Sequence, residues 1–233
     1  MPSIRDIEAE KLDPARVTLE SLRNHPELVV LINRGDACVK ASGGIEHGIF
    51  HAARTSVRAY KLCREIGLPE RDAELATLAA YMHDMGYAIE SANHAYTGAI
   101  MARSLLREAG TSLGDTLTIC HAIANHAIVA SPMFSYVAAA VTLADASDVL
   151  RSRVRNPAMK TFTQDDRLNF GVIANQLDVD ENRVITLNLS IDTPLLTPLE
   201  FMEIFVSRWK LIRCAAETLR CELRLSMNGA VLV

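Results

Sequence analysis

Over roughly its first 155 residues the chain keeps a helical period and nothing else. Ala, Leu and Ile recur at three- and four-residue spacing, Gly or Pro falls between segments, and strand-like alternation is absent. The pattern places helices near 15–33, 47–66, 70–84, 94–109, 114–127 and 133–151. Breaks are expected at Gly43-Gly44, Gly67-Leu68-Pro69, Gly86, Gly110 to Gly114 and Ser131-Pro132. The period then switches. From Arg183 to Asp192 the residues alternate strictly, with Ile185, Leu187, Leu189 and Ile191 on one face and Thr186, Asn188, Ser190 and Asp192 on the other, which reads as a half-buried strand.

Thr197-Pro198-Leu199-Glu200 is a capping box with proline at the first helical position. It opens a helix with Leu199, Met202, Phe205, Val206, Trp209, Ile212 and Leu219 on a broad apolar face. Leu223, Leu225 and Met227 alternate again before Asn228-Gly229, a two-residue hairpin signal, so residues 230–233 are expected as a return strand. Between these features, 165–182 is read as a short helix followed by a strand from about Gln176 to Val179. The expected fold is mainly α: a helical domain over 1–160 carrying a small C-terminal α+β subdomain over 161–233.

A chain of 233 residues buries a full core as one domain, or one domain with an appendage. A net charge of -4 leaves no general basic face and argues against a duplex nucleic-acid binder. The amino-terminal octapeptide Met1 to Glu8 lacks an apolar core, so no signal peptide is expected. No apolar run approaches the roughly 20 residues that span a bilayer. The five cysteines are odd in number without C-x-x-C spacing, which fits reduced thiols in a cytoplasmic protein. The strand near the carboxyl end is either packed within the chain or an edge for a homodimer.

Chemistry concentrates in a few polar residues on apolar segments. His83 and Asp84 follow Ala79-Ala80-Tyr81-Met82 and can both reach one metal ion. His51 lies upstream, one turn past His47 and just before Arg54 on the same expected stripe. Asp145 sits in Val141-Thr142-Leu143-Ala144-Asp145, where a carboxylate is costly unless paired or bound to a cation. Asp148, three residues on, is expected on the same face, in a salt bridge to Arg151 or Arg153. His121 and His126 stand about 140° apart on a helix and cannot easily share a site, so His126 is taken as functional. His94 follows Asn93, a good N-cap, which suits a second metal or an anion. His25, before a proline, is incidental.

Together these segments resemble the HD-domain superfamily of metal-dependent phosphohydrolases, helical proteins built on the order His … His-Asp … Asp. His51-Ala52-Ala53-Arg54 resembles the opening His-x-x-Arg, and Asp145-Ala146-Ser147-Asp148 the closing segment. The resemblance implies His51, His83, Asp84 and Asp145 as the metal set. His94-Ala95-Tyr96-Thr97-Gly98-Ala99 and Ala122-Ile123-Ala124-Asn125-His126 resemble the intermediate segments that members use for a second metal or for phosphate. Tyr87 stands where several branches carry a lysine for the substrate phosphate, and the segment between Asp84 and His94 is too short for the loop of the cyclic-di-GMP phosphodiesterase branch.

The expected activity is hydrolysis of a phosphate ester of a nucleotide or related small molecule. It would use one or two divalent transition metals (Mn, Fe, Ni, Co or Zn), with Asp84 and Arg54 in the catalytic machinery. The alternative is a regulatory protein that binds metal or nucleotide on a degenerate scaffold without turnover.

Overall fold

The computed structural model of the chain describes residues 16–128, 133, 135–156 and 158–232. Its helical part comprises α1 (Leu19–Leu22), α2 (Pro26–Ala41), α3 (Ile49–Glu65), α4 (Glu70–Met82), a 3₁₀ turn at Met85–Ala88, α5 (His94–Glu108), α6 (Leu113–Asn125) and α7 (Tyr136–Ala146). The bundle is organised around α7. Its sequence is apolar on nearly every face, and such a helix must be buried. Ala138, Ala139, Ala140 and Ala144 are wholly enclosed, and their small side chains let α3, α4 and α6 approach closely.

The C-terminal part runs α8 (Gln164–Gly171), β1 (Val172–Val179), β2 (Val184–Ile191), α9 (Pro198–Thr218), β3 (Glu222–Met227) and β4 (Ala230–Val231). The sheet order is β1-β2-β3-β4, antiparallel at β1/β2 and β3/β4 and parallel at β2/β3, with α9 as the crossover. The strand read at 183–192 is therefore paired on both sides and offers no free edge. The capping box forms as read, with Thr197 N–H donating to Glu200 Oε2 at 2.9 Å. Asn228 and Gly229 both take positive φ, 49° and 83°, as a tight primed hairpin turn requires. β1 begins at Val172, four residues earlier than expected, with a register irregularity between Val172 and Ala174. Phe201, Phe205 and Ile212 of α9 are buried, α9 packs on α7, and one apolar cluster joins the bundle to the sheet. The fold is thus a mainly helical bundle with a small α+β portion at its end.

Three boundaries differ from the sequence reading, each for a local reason. The helix expected over 15–33 is instead the single turn α1 followed by α2. Pro26 occupies the first turn of α2 and holds His25 extended (φ -62°, ψ 123°), which ends one helix and starts the next. α2 runs through Gly35, where a Cβ would lie 3.2 Å from that of Tyr87. The helix expected from 47 starts at Ile49, because the Glu46 carboxylate accepts the Gly48 and His51 N–H groups at 2.8 and 3.2 Å. His47 therefore precedes α3 and does not share a helix face with His51. Finally, α7 stops at Ala146, so Asp148 lies in the turn beyond it. The break at Ser131-Pro132, the amino-terminal octapeptide and Val233 lie outside the described residues. Among the described residues no helix is long and apolar enough to cross a membrane.

Candidate metal centre

Two of the histidines are placed by the same local device. His83 caps the C-terminus of α4 and His126 that of α6. Each imidazole folds back so that Nδ1 reaches the carbonyl three residues earlier, Ala80 O and Ile123 O, at 2.6 Å. His94 makes the equivalent contact to Ser91 O at 2.9 Å. His51, in the first turn of α3, uses Nδ1 on Asp148 Oδ2 at 2.7 Å. A carbonyl or carboxylate oxygen only accepts, so Nδ1 carries the proton in all four rings. In the neutral ring each Nε2 then presents a lone pair.

Those lone pairs converge. His51 Nε2 lies 3.2 Å from His83 Nε2, 3.1 Å from Asp145 Oδ1 and 3.5 Å from Asp84 Oδ2. His83 Nε2 lies 3.1 Å from Asp84 Oδ2 and 3.5 Å from Asp145 Oδ1. Donor atoms about 2.0–2.2 Å from a common cation are themselves separated by about 2.8–3.6 Å, and these separations fall in that range. Two imidazole lone pairs at 3.2 Å repel unless something positive stands between them. Among the described residues Asp84 Oδ2 is buried without a hydrogen-bond partner. The donor set and this orphaned oxygen fit a bound cation.

On the other side of the Asp84 carboxylate, Oδ1 faces His94 Nε2 at 3.7 Å and His126 Nε2 at 3.9 Å, and these two nitrogens are 3.2 Å apart. His51, His83 and Asp145 form one group within reach of a single ion, and His83, Asp84 and His126 form another.

The charge state follows from burial and neighbours. Burial opposes charge on His83, yet the Asp84 and Asp145 carboxylates outweigh it and hold its pKa well above the ordinary value. Burial would raise both carboxylates, but His83 holds Asp84 and Asp145 below the usual range, with His51 also acting on each. Burial, helped by His83, pushes His126 down to about 4, and burial with Arg153 does the same to His47.

Asp148 is the residue the sequence undervalued. It is buried, receives Arg54 on both oxygens at 3.1 to 3.3 Å, and its Oδ2 also lies 3.6 Å from Arg153 and orients His51. Arg153 is 1% exposed and also donates to the carbonyls of Asp148 and Glu46. Arg151 pairs instead with Asp192 on the sheet side. Arg54, expected to meet the phosphate, spends its guanidinium on Asp148 and Glu46 and lines a groove against β1 instead of the metal cleft. The reason is the turn after α7, which carries Asp148 within its reach.

The cluster opens into a cleft of about 170 Å³ whose walls include His47, Tyr87, Arg153, Arg208 and Leu211. Tyr87 stacks on His94 with ring centroids 3.9 Å apart and planes 8° from parallel. The turn bearing it is pressed on α5, since a Cβ at Gly86 would meet His94 O at 1.9 Å. Only the departure from lysine pointed to Tyr87, and no sequence signal pointed to Arg208. His121 contacts its own neighbour Asn125, and His25 stands before α2, both away from the cluster.

Comparison with curated proteins finds no match to the chain. Residues 48–150 match the family model of the HD domain, and this stretch carries every histidine and aspartate of the cluster.

Proposed function

We propose that the chain hydrolyses a phosphate ester of a nucleotide or a related small molecule. His51, His83, Asp84 and Asp145 would hold a divalent transition metal, and His94 and His126, beyond Asp84, a second ion or the substrate phosphate. The observation that carries this reading is the meeting of four Nε2 lone pairs with the Asp84 and Asp145 carboxylates, one oxygen of which has no other partner. Mixed imidazole and carboxylate donors suit Mn, Fe, Ni, Co or Zn better than an all-oxygen magnesium site. A divalent ion so bound supplies an acidified water and a Lewis acid toward the phosphoryl oxygen.

The chain's own residues do the positioning. Asp148 fixes the tautomer and orientation of His51, and Arg54 acts one step removed by holding Asp148. Asp84 joins the two groups through its separate oxygens, and Tyr87 fixes the plane of His94.

Elemental analysis after metal reconstitution, on the wild type beside His83→Ala and Asp84→Ala, tests this, followed by a screen of phosphate esters with the bound metal. Near-stoichiometric metal lost in both variants, with turnover in the wild type alone, is the expected result. Metal without turnover of any phosphate ester would leave a metal-binding regulatory protein. A wild type that takes up no metal would end the hydrolase reading.

A further inference from the structure

We propose that Arg208, on the C-terminal helix and outside the HD domain, is the residue that binds the substrate's phosphoryl oxyanion in the metal cleft. The inference rests on the phosphohydrolase reading and adds to it the cation that recognises the substrate. α9 packs on α7, the helix bearing Asp145, and sets Arg208 and Leu211, three residues apart on one face, in the cleft wall beside Asp84 and Asp145.

Among the described residues two cations line this cleft, Arg153 and Arg208. Arg153 is buried and its guanidinium is held by the carbonyls of Glu46 and Asp148. Arg208 is different. Its one hydrogen bond among the described residues goes to Asp165 Oδ1 at 3.0 Å, a carboxylate 59% exposed. Because the Asp165 carboxylate can turn to solvent, Arg208 exchanges it for a stronger anion at little cost.

Among the described residues of the HD segment no other arginine or lysine lines the cleft. Tyr87 offers an aromatic ring already stacked on His94, and Arg54 is bound to Asp148 and Glu46. A planar guanidinium matches two oxygens of a phosphoryl group, which an ammonium does not. The cleft volume of about 170 Å³ is below the roughly 300–1,000 Å³ that encloses a whole drug-sized ligand. It therefore takes the phosphoryl end of the substrate and leaves most of the rest outside.

The test is calorimetric titration of the metal-loaded full chain with inorganic phosphate, using wild type, Arg208→Gln, Arg208→Lys and Asp165→Asn. Metal content and thermal midpoint are measured on each. The expected result is phosphate binding about ten- to a hundredfold weaker in Arg208→Gln, intermediate in Arg208→Lys, and equal or tighter in Asp165→Asn, with metal content unchanged. Wild-type affinity in Arg208→Gln overturns the proposal and leaves the hydrolase reading standing. Equal weakening by Asp165→Asn also overturns it, since the pair would then act as a brace between α8 and α9. A metal-loaded wild type that binds no phosphate overturns both.

Discussion

Asp84→Asn separates a metal centre from a set of packed polar residues, because it preserves shape while removing the charge shared by both groups. Oδ2 of Asp84 lies 3.1 Å from His83 Nε2 and 3.5 Å from His51 Nε2, and Oδ1 faces His94 and His126 at 3.7 and 3.9 Å. An ion that binds only the folded chain stabilises it by about 2.7 kcal/mol at a hundred times its Kd. For a chain of this length each kcal/mol moves the thermal midpoint by roughly 2–4 °C, so the wild type should gain about 5–11 °C over the chelator-treated protein. Changing a supporting residue alone weakens metal sites about 10–100-fold, and removing a ligand charge does at least that. At the same metal concentration the variant is then at about one to ten times its own Kd and gains only about 0.4–1.4 kcal/mol, or roughly 1–6 °C. Thermal unfolding followed by far-UV circular dichroism, with chelator or with metal, measures both. A variant that gains as many degrees as the wild type, or a wild type that gains none, would refute the reasoning.

The surrounding groups give further tests. Asp148→Ala strips the buried Arg153 of its carboxylate and should lower metal-free stability by about 3–5 kcal/mol; it should also weaken metal about 10–100-fold by freeing His51. Urea unfolding and competition with a chelator read the two effects, and wild-type values for both would contradict the role given to Asp148. Gly86→Ala forces a Cβ onto the backbone of His94 and should destabilise by roughly 1–3 kcal/mol or more, seen as a lower urea midpoint; an unchanged midpoint would mean the turn is not pressed on α5. Acid should destabilise the metal-free protein between pH 6.5 and about 4. In that window the unfolded chain protonates His126 and His47 while burial keeps both neutral in the fold, so stability present above 6.5 is lost as pH falls. His83, shifted the opposite way, contributes fully below 6.5 and adds no slope there. His126→Gln should reduce the slope by up to about 1.4 kcal/mol per pH unit, and an unaltered slope would place that proton uptake elsewhere.

What could be read from the chain was what short-range chemistry decides. An ionisable residue on an otherwise apolar segment is costly wherever the segment packs, so Asp145 and the His83-Asp84 pair declared themselves without a structure. The capping box at Thr197 and the turn at Asn228-Gly229 were equally legible, since each depends on a few adjacent residues. The errors fell where distant contacts decide. The helix expected to end at 33 runs on to Ala41, and Gly35 within it leaves room for Tyr87, whose Cβ would lie 3.2 Å from an added side chain. His47 and His51 have the spacing of one helix face, but Glu46 caps the helix after His47. Arg54 reads as free to meet a phosphate because the loop that brings Glu46 to it is invisible in the helical period. Its other partner, Asp148, arrives from 94 residues away.

The order His, His-Asp, Asp also has a physical basis in helix polarity. His83 caps α4, His126 caps α6 and Asp145 lies in the last turn of α7, so three helices end at the cluster with their C-termini. Each C-terminus carries the equivalent of about half a negative charge. Asp145 adds a full one in a turn that holds no basic residue, an arrangement that is unfavourable for the helix alone. Bringing three such ends and two carboxylates together stabilises nothing unless positive charge sits among them. In the metal-free chain that charge is a proton on His83, which is why its pKa stands so high. A divalent ion would meet the His51 and His83 Nε2 lone pairs as well as the Asp84 and Asp145 carboxylates, whereas one proton on His83 can be shared with only one or two of these atoms at a time. On the metal reading the fold would favour an ion over the proton, and that preference would come from where the helices end as much as from the ligands they carry.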